Sequence, residues 1–111
     1  MKKLEKLSLN TLSKRMQMIA DTYFAARKYE NQVPKMYDAE AGKPINQYTI
    51  YIERVEKTYE KLDTLEQIFI NNEYFFQNYK DWWRKAYSKK MYNFYLKKTL
   101  VRFLGVFFNE A

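Results

Sequence analysis

Residues 47–71 read QYTIYIERVEKTYEKLDTLEQIFIN, and the spacing within this stretch decides the fold class. Tyr48, Ile52, Val55, Tyr59, Leu62, Leu65 and Phe69 recur every three or four residues, which puts them on one side of a helix with 3.6 residues per turn. Glu53, Glu56, Glu60, Lys57 and Lys61 fill the other faces. The spacing predicts one long helix from about Gln47 to Asn71. Its apolar stripe has the form of a coiled-coil seam, so it serves either an antiparallel hairpin within the chain or a homodimer through residues 48–69. A short chain needs that stripe for its own core, which favours the hairpin. Carboxylate pairs such as Glu53 and Glu56 can do acid–base work in a cleft, but solvated helix faces carry them routinely.

Towards the N-terminus, Pro34, Gly42 and Pro44 mark a loop over 30–47. A single glycine followed by Lys43 and Pro44 is not a phosphate-cradling signature. Further back, Leu4, Leu7, Leu12, Met16, Ile19, Ala20, Tyr23 and Phe24 recur at helical spacing. They predict a helix from about Asn10 to Tyr29, capped by Ser8 or Asn10, with Met16 and Met18 as core fillers.

Towards the C-terminus, Asn71, Asn72, Gln77 and Asn78 are turn-prone residues on either side of Glu73–Phe76. Lys80 to Tyr87 then reads as a short helix carrying Trp82 and Trp83. Ser88 is placed as the N-cap of a last helix that runs to about Leu104, with Gly105 as its C′ residue and Val106–Phe108 folding back on the core. Two glycines and two prolines in 111 residues are too few turn residues for a sandwich or barrel. The expected fold is all-α, a single helical domain over 1–111: a helical hairpin over 1–71 with its loop at 30–47, then a helix-turn-helix-like part over 72–108.

The composition narrows function. The chain is 47% hydrophobic and 19% aromatic, which argues for a packed core rather than disorder. It holds no cysteine and no histidine. Disulfides, thiolate metal sites, thiol nucleophiles and imidazole bases are therefore absent. No catalytic constellation is visible, so no enzyme activity, cofactor or metal is expected. Met1 to Leu12 has lysines but no apolar core of a leader peptide, and no apolar run is long enough to span a membrane. The expected location is cytoplasmic.

Charge points to a partner. Net charge is +7. Residues 1–66 carry twelve Lys/Arg against ten Asp/Glu, whereas 67–111 carry eight against three. All eight cations, Lys80, Arg84, Lys85, Lys89, Lys90, Lys97, Lys98 and Arg102, lie in one segment where Asp81 is the only acid. An AT-rich genome explains abundant lysine, but not why acids vanish from one segment. This asymmetry is the footprint expected of a polyanion-binding surface.

On a helical wheel, Tyr92, Leu96, Thr99, Leu100 and Phe103 of the last helix share one face and should be buried. Lys90, Phe94, Lys97, Lys98 and Val101 fall opposite, with Met91, Tyr95 and Arg102 along one edge. A short helix, a tight turn and a second helix entered through a serine form a helix-turn-helix, whose second helix enters the major groove N-terminus first. Ser88, Lys89, Lys90 and Asn93 are placed to reach base edges and the remaining cations to reach phosphates.

The stretch from Leu65 through Glu73-Tyr74-Phe75 and Trp82-Trp83 to Tyr87-Ser88-Lys89-Lys90-Met91-Tyr92 and Leu96-Lys97-Lys98-Thr99-Leu100 resembles region 4 of RNA-polymerase sigma factors. It is more similar still to phage late-gene regulators and small mycoplasma proteins that share that module. In those families a serine opens the recognition helix, with apolar residues four, eight and twelve positions later; here these are Tyr92, Leu96 and Leu100. The resemblance implies a transcription regulator that touches DNA and, in addition, RNA polymerase. Phe94 and Tyr95 stand where the family usually has basic residues, and Met91 where it often has threonine. Trp82, Trp83, Phe94 and Tyr95 therefore either stack on unpaired bases, contact a protein partner, or fill a core shared with the N-terminal helices.

The expected function is a DNA-binding regulator, with Lys80, Arg84, Lys85, Ser88, Lys89, Lys90, Asn93, Lys97, Lys98 and Arg102 on nucleic acid. Its rivals are a non-enzymatic interaction module or accessory subunit using Phe94 and Tyr95, and a single-stranded RNA binder. Docking on a membrane surface is weaker, because the core needs the same apolar face.

Overall fold

The computed structural model describes residues 2–76 and 79–109, the side chain of Lys2 excepted. A short helix α1 (Lys2–Glu5) buries Leu4. Ser8 then opens α2 (Leu9–Tyr29), its Oγ accepting from the Thr11 amide at 3.1 Å, which satisfies one of the helix's free first-turn donors. Leu12, Met16, Ile19 and Ala20 turn inward together. Met18, expected in the core, is exposed, because it lies off that stripe.

The expected loop holds a small hairpin. β1 (Met36–Asp38) pairs antiparallel with β2 (Lys43–Ile45), matching Met36 with Ile45 and Asp38 with Lys43. Gly42 closes the turn at φ +70°, its amide donating to the Asp38 carbonyl at 2.8 Å. A left-handed residue is needed there, and glycine adopts it without a Cβ penalty. The strands were not legible because three mostly exposed residues each carry no alternation of polarity.

The long helix expected over 47–71 is two helices. Asn46 starts α3 (Gln47–Glu60), accepting from the Tyr48 and Thr49 amides at 2.9 Å each. Lys61 and Leu62 form a turn, and Asp63 starts α4 (Thr64–Ile70). Asp63 accepts from the Glu66 amide at 2.8 Å while Glu66 accepts from the Asp63 amide at 2.9 Å, a reciprocal capping box that favours a new helix start over continuation. Buried Leu62 keeps the apolar phase unbroken across the turn, which hides the break from periodicity. The stripe faces inward: Ile52, Val55, Leu62 and Phe69 are all buried within this chain. A five-residue π-turn, Asn71–Phe75, continues α4.

Ser88 opens α5 (Lys89–Phe107), accepting from the Met91 amide at 3.2 Å. Tyr92, Leu96, Thr99, Leu100 and Phe103 are all buried, and Leu104 and Phe107 extend the same face. The helix does not end at Leu104 as expected. It runs through Gly105, and the left-handed residue beyond it is Asn109 at φ 56°. Phe107 supplies the reason. Its ring packs on Tyr51 at 5.7 Å and under the Arg54 guanidinium at 4.2 Å, so three more helical residues bury another aromatic. Arg54 also donates from Nε and a terminal nitrogen to the Phe107 carbonyl. In the opposite sense, Arg102 of α5 donates to the Lys61 carbonyl at the end of α3, at 2.9 Å. Each helix thus receives a cation from the other at its negative end, where helix dipoles favour one.

α5 is the central element, touching α1, α2, α3 and α4. α2 and α3 meet through Tyr29 with Tyr48, and through a Tyr23 hydroxyl that donates to Glu56 at 2.7 Å. Two-thirds helix with one two-stranded hairpin, the fold is predominantly α.

Candidate nucleic-acid interface

Residues 79–87 carry the entry to the basic segment, and they do not form the helix expected over Lys80–Tyr87. They are successive turns, with the Arg84 amide on the Asp81 carbonyl at 3.1 Å and the Ala86 and Tyr87 amides both on the Trp83 carbonyl. The tryptophans explain this. Trp82 meets Phe69 edge-on at 4.9 Å, and Trp83 stacks on Tyr92 at 4.3 Å. Neighbouring side chains on a helix point about 100° apart, so two consecutive indoles close on one aromatic cluster more readily from turns. The helix-turn-helix expected over 72–108 therefore lacks a regular first helix.

Glu73, on the π-turn, organises the cluster. Its carboxylate accepts the Trp82 indole N–H at 2.7 Å and lies near the Tyr92 hydroxyl. Burial, then the Glu73 carboxylate, pushes the Tyr92 hydroxyl far above the ordinary tyrosine range. Asp81 pairs with Arg84 at 3.3 Å. Both acids described beyond residue 66 of the fold's C-terminal part are thus engaged, whereas Glu110 lies outside the described residues, as do the expected turn residues Gln77 and Asn78.

The cations divide accordingly. Arg84 pairs with Asp81 and lies over the Trp83 ring at 5.5 Å. Lys89 sits over Trp83 and Tyr92 at 5.4 and 5.5 Å. Arg102 caps α3. Among the described residues, Lys80, Lys85, Lys90, Lys97 and Lys98 form no ion pair. Lys80, Lys85, Lys90 and Lys98 are exposed and Lys97 is half-buried. Lys90, Lys97 and Lys98 share the outward face of α5 with Phe94, whose ring is 64% exposed. Along the axis Lys90 and Lys98 stand about 12 Å apart.

The first turn of α5 breaks a local rule. Lys89 and Lys90 occupy it with no acid, although cations at the positive end of a helix dipole each cost about 0.3–1 kcal/mol. Ser88, predicted to reach a base edge, already accepts the Met91 amide, so its oxygen acts as a cap. Asn93 is half-buried on the flank of the lysine face. Trp83 is buried and Trp82 partly so. Tyr95 is half-buried, packing on Phe69 and Tyr87 at 6.0 and 5.7 Å. Of the four aromatics in question, Phe94 alone stands in solvent, with Met91 beside it at 45% exposure.

Elsewhere, Glu53 bridges Lys43 at 2.6 Å and Lys57 at 3.2 Å, and these lysines hold its carboxyl below the usual range. Glu56 instead serves Tyr23, so the two carboxylates do not act together. Among the described residues, no three acidic, histidine or cysteine side chains gather as metal ligands, and no helix is long and apolar enough to cross a membrane. A cavity of about 700 Å³ between α2, α3 and the π-turn had no counterpart in the sequence reading. No family model, curated protein or solved structure matches the chain.

Proposed function

We propose that the protein binds nucleic acid, with the outward face of α5 and the adjoining turns as its contact surface and duplex DNA as its target. The observation that carries this is the segment from Lys80 to Lys98, whose six lysines have no acidic partner among the described residues, with Lys90, Lys97 and Lys98 on the outward face of α5 and two lysines in its first turn. Such a surface repels itself until a polyanion neutralises it, and counterion release supplies the affinity. α5 is 19 residues, about 28 Å of rod, of a width that the major groove admits. Regulation of transcription, with a further contact to RNA polymerase, follows from the resemblance to sigma region 4 and is an analogy of fold. In that analogy the turns at 80–86 take the place of the helix that crosses the backbone, and Lys80 and Lys85 would contact phosphates.

A second reading rests on Phe94, exposed among the lysines of the same face, and on Met91, exposed at its edge. An aromatic between lysines suits stacking on a single strand or a protein contact. The two readings separate by mutation and salt. Neutralising five phosphates gives a slope of log K against log salt of about −4.5, or about 500-fold weaker binding between 50 and 200 mM salt. Lys97→Ala/Lys98→Ala should lower the slope to about −2.7, while Phe94→Ala changes duplex binding little. A flat salt response overturns the proposal. Loss of binding in Phe94→Ala alone, with preference for single strands, transfers it to the stacking reading.

A further inference from the structure

The cavity between α2, α3 and the π-turn lies apart from the lysine face and has the walls of a small-molecule site. Tyr23, Phe24 and Phe75 meet edge to face in a triangle at 5.5–5.8 Å, and Val55 and Tyr59 from α3 add to its lining. Its volume, about 700 Å³, falls inside the range of roughly 300–1,000 Å³ usual for ligand pockets, which are apolar with a few placed polar groups. One wall is the π-turn, which contributes Asn71 and Phe75.

The polar lining sets two cations, Arg27 and Lys28, against one carboxylate, Glu56, with Tyr23, Tyr59 and Asn71 beside them. Asn71 Nδ2 donates to the Tyr59 hydroxyl at 2.7 Å, so that hydroxyl keeps its own proton to give. Arg27 pairs with Glu56 at 3.7 Å and with Glu30, outside the lining, at 3.5 Å, and Tyr23 donates to the Glu56 carboxylate. Lys28, also in the lining, forms no ion pair among the described residues and lies over the Tyr29 ring at 5.4 Å. Lys28 is thus the cation of the lining that makes no ion pair among the described residues, and it stands beside an aromatic cavity with a hydroxyl donor at Tyr59.

The geometry points to a binding site for a small amphiphilic anion, a flat apolar body with one carboxylate or sulfonate end that meets Lys28. The test uses the full chain with two fluorescent probes, anilinonaphthalene sulfonate and its neutral analogue N-phenyl-1-naphthylamine. Both should bind saturably at one site per chain. Lys28→Glu should weaken the sulfonate roughly tenfold or more and leave the neutral probe unchanged. Phe24→Ala, an accessible wall residue, should weaken both; Lys97→Ala/Lys98→Ala should weaken neither. Circular dichroism establishes that each variant remains folded. Absence of saturable binding, or sulfonate binding that survives Lys28→Glu and falls with Lys97→Ala/Lys98→Ala, overturns the assignment.

Discussion

Replacing Phe69 with alanine probes what holds residues 79–87 in place. Phe69 is fully buried and sits among four rings: Trp82 at 4.9 Å, Tyr87 at 5.5 Å, and Tyr92 and Tyr95 at 6.0 Å. Deleting a buried phenyl costs about 3–5 kcal/mol through lost transfer energy and the cavity left behind, and ring pairs add roughly 0.5–1.5 kcal/mol each. A chain of 111 residues has about 6–17 kcal/mol of stability in total. With a urea dependence of about 2 kcal/mol per molar, the midpoint should fall by roughly 2 M. The chain's two tryptophans both lie in this segment, so indole emission reports it locally while circular dichroism at 222 nm reports the helices. Because the turns have no helical ladder of their own, emission in Phe69→Ala should red-shift at lower urea than ellipticity is lost. Phe69→Leu keeps apolar bulk but no ring, and should lose only about 1–2 kcal/mol. An unshifted emission midpoint in Phe69→Ala would refute the idea that these rings hold the segment.

Two further outcomes follow from the caps and the buried hydroxyls. Asp63→Ala removes the acceptor that starts α4 and should cost about 1 kcal/mol, read as a lower melting temperature, whereas Asp63→Ser should restore most of it. The Tyr74 hydroxyl, 2.7 Å from Ser13 Oγ, is pushed up to about 12 by burial. In the unfolded chain tyrosine ionises near 10, so this stabilisation is complete below pH 10 and is lost as pH rises towards 12. The loss amounts to about 2–3 kcal/mol, and Tyr92 extends it in the same direction. Melting curves at pH 9, 10 and 11 should show the decline, and Tyr74→Phe should flatten it.

The parts of the molecule that were legible are those governed by contacts near in sequence. The buried face of α5 and the serine caps of α2 and α5 were read residue by residue, because helical spacing and short polar caps act within a turn or two. The break at Leu62-Asp63 was hidden because the apolar phase continues through it, although the Asp63–Glu66 capping pair stands in the sequence. The turns at 80–86 follow from Phe69, Glu73 and Tyr92, which a local reading does not bring together. The same holds for the end of α5, set by Arg54 fifty-three residues away. At the candidate interface the lysine face was legible as charge. Which lysines remain unpaired was not, since that depends on Glu73 and Asp81 being engaged elsewhere. The cavity had no local signature, because its walls come from three separate segments.

The two arginines exchanged between α3 and α5 set a gradient along α5. Arg54 and Arg102 fasten its C-terminal half to α3, whereas its first turn has a serine cap and a layer of aromatic rings. Amide hydrogen exchange should therefore be slowest around Leu100 to Phe107 and fastest at Lys89 to Met91 and through the preceding turns. The end of α5 that carries Lys90, with the turns that hold Lys80 and Lys85, is then the part free to adjust its path in the proposed complex with a phosphate backbone. The other end keeps it registered on the body of the protein.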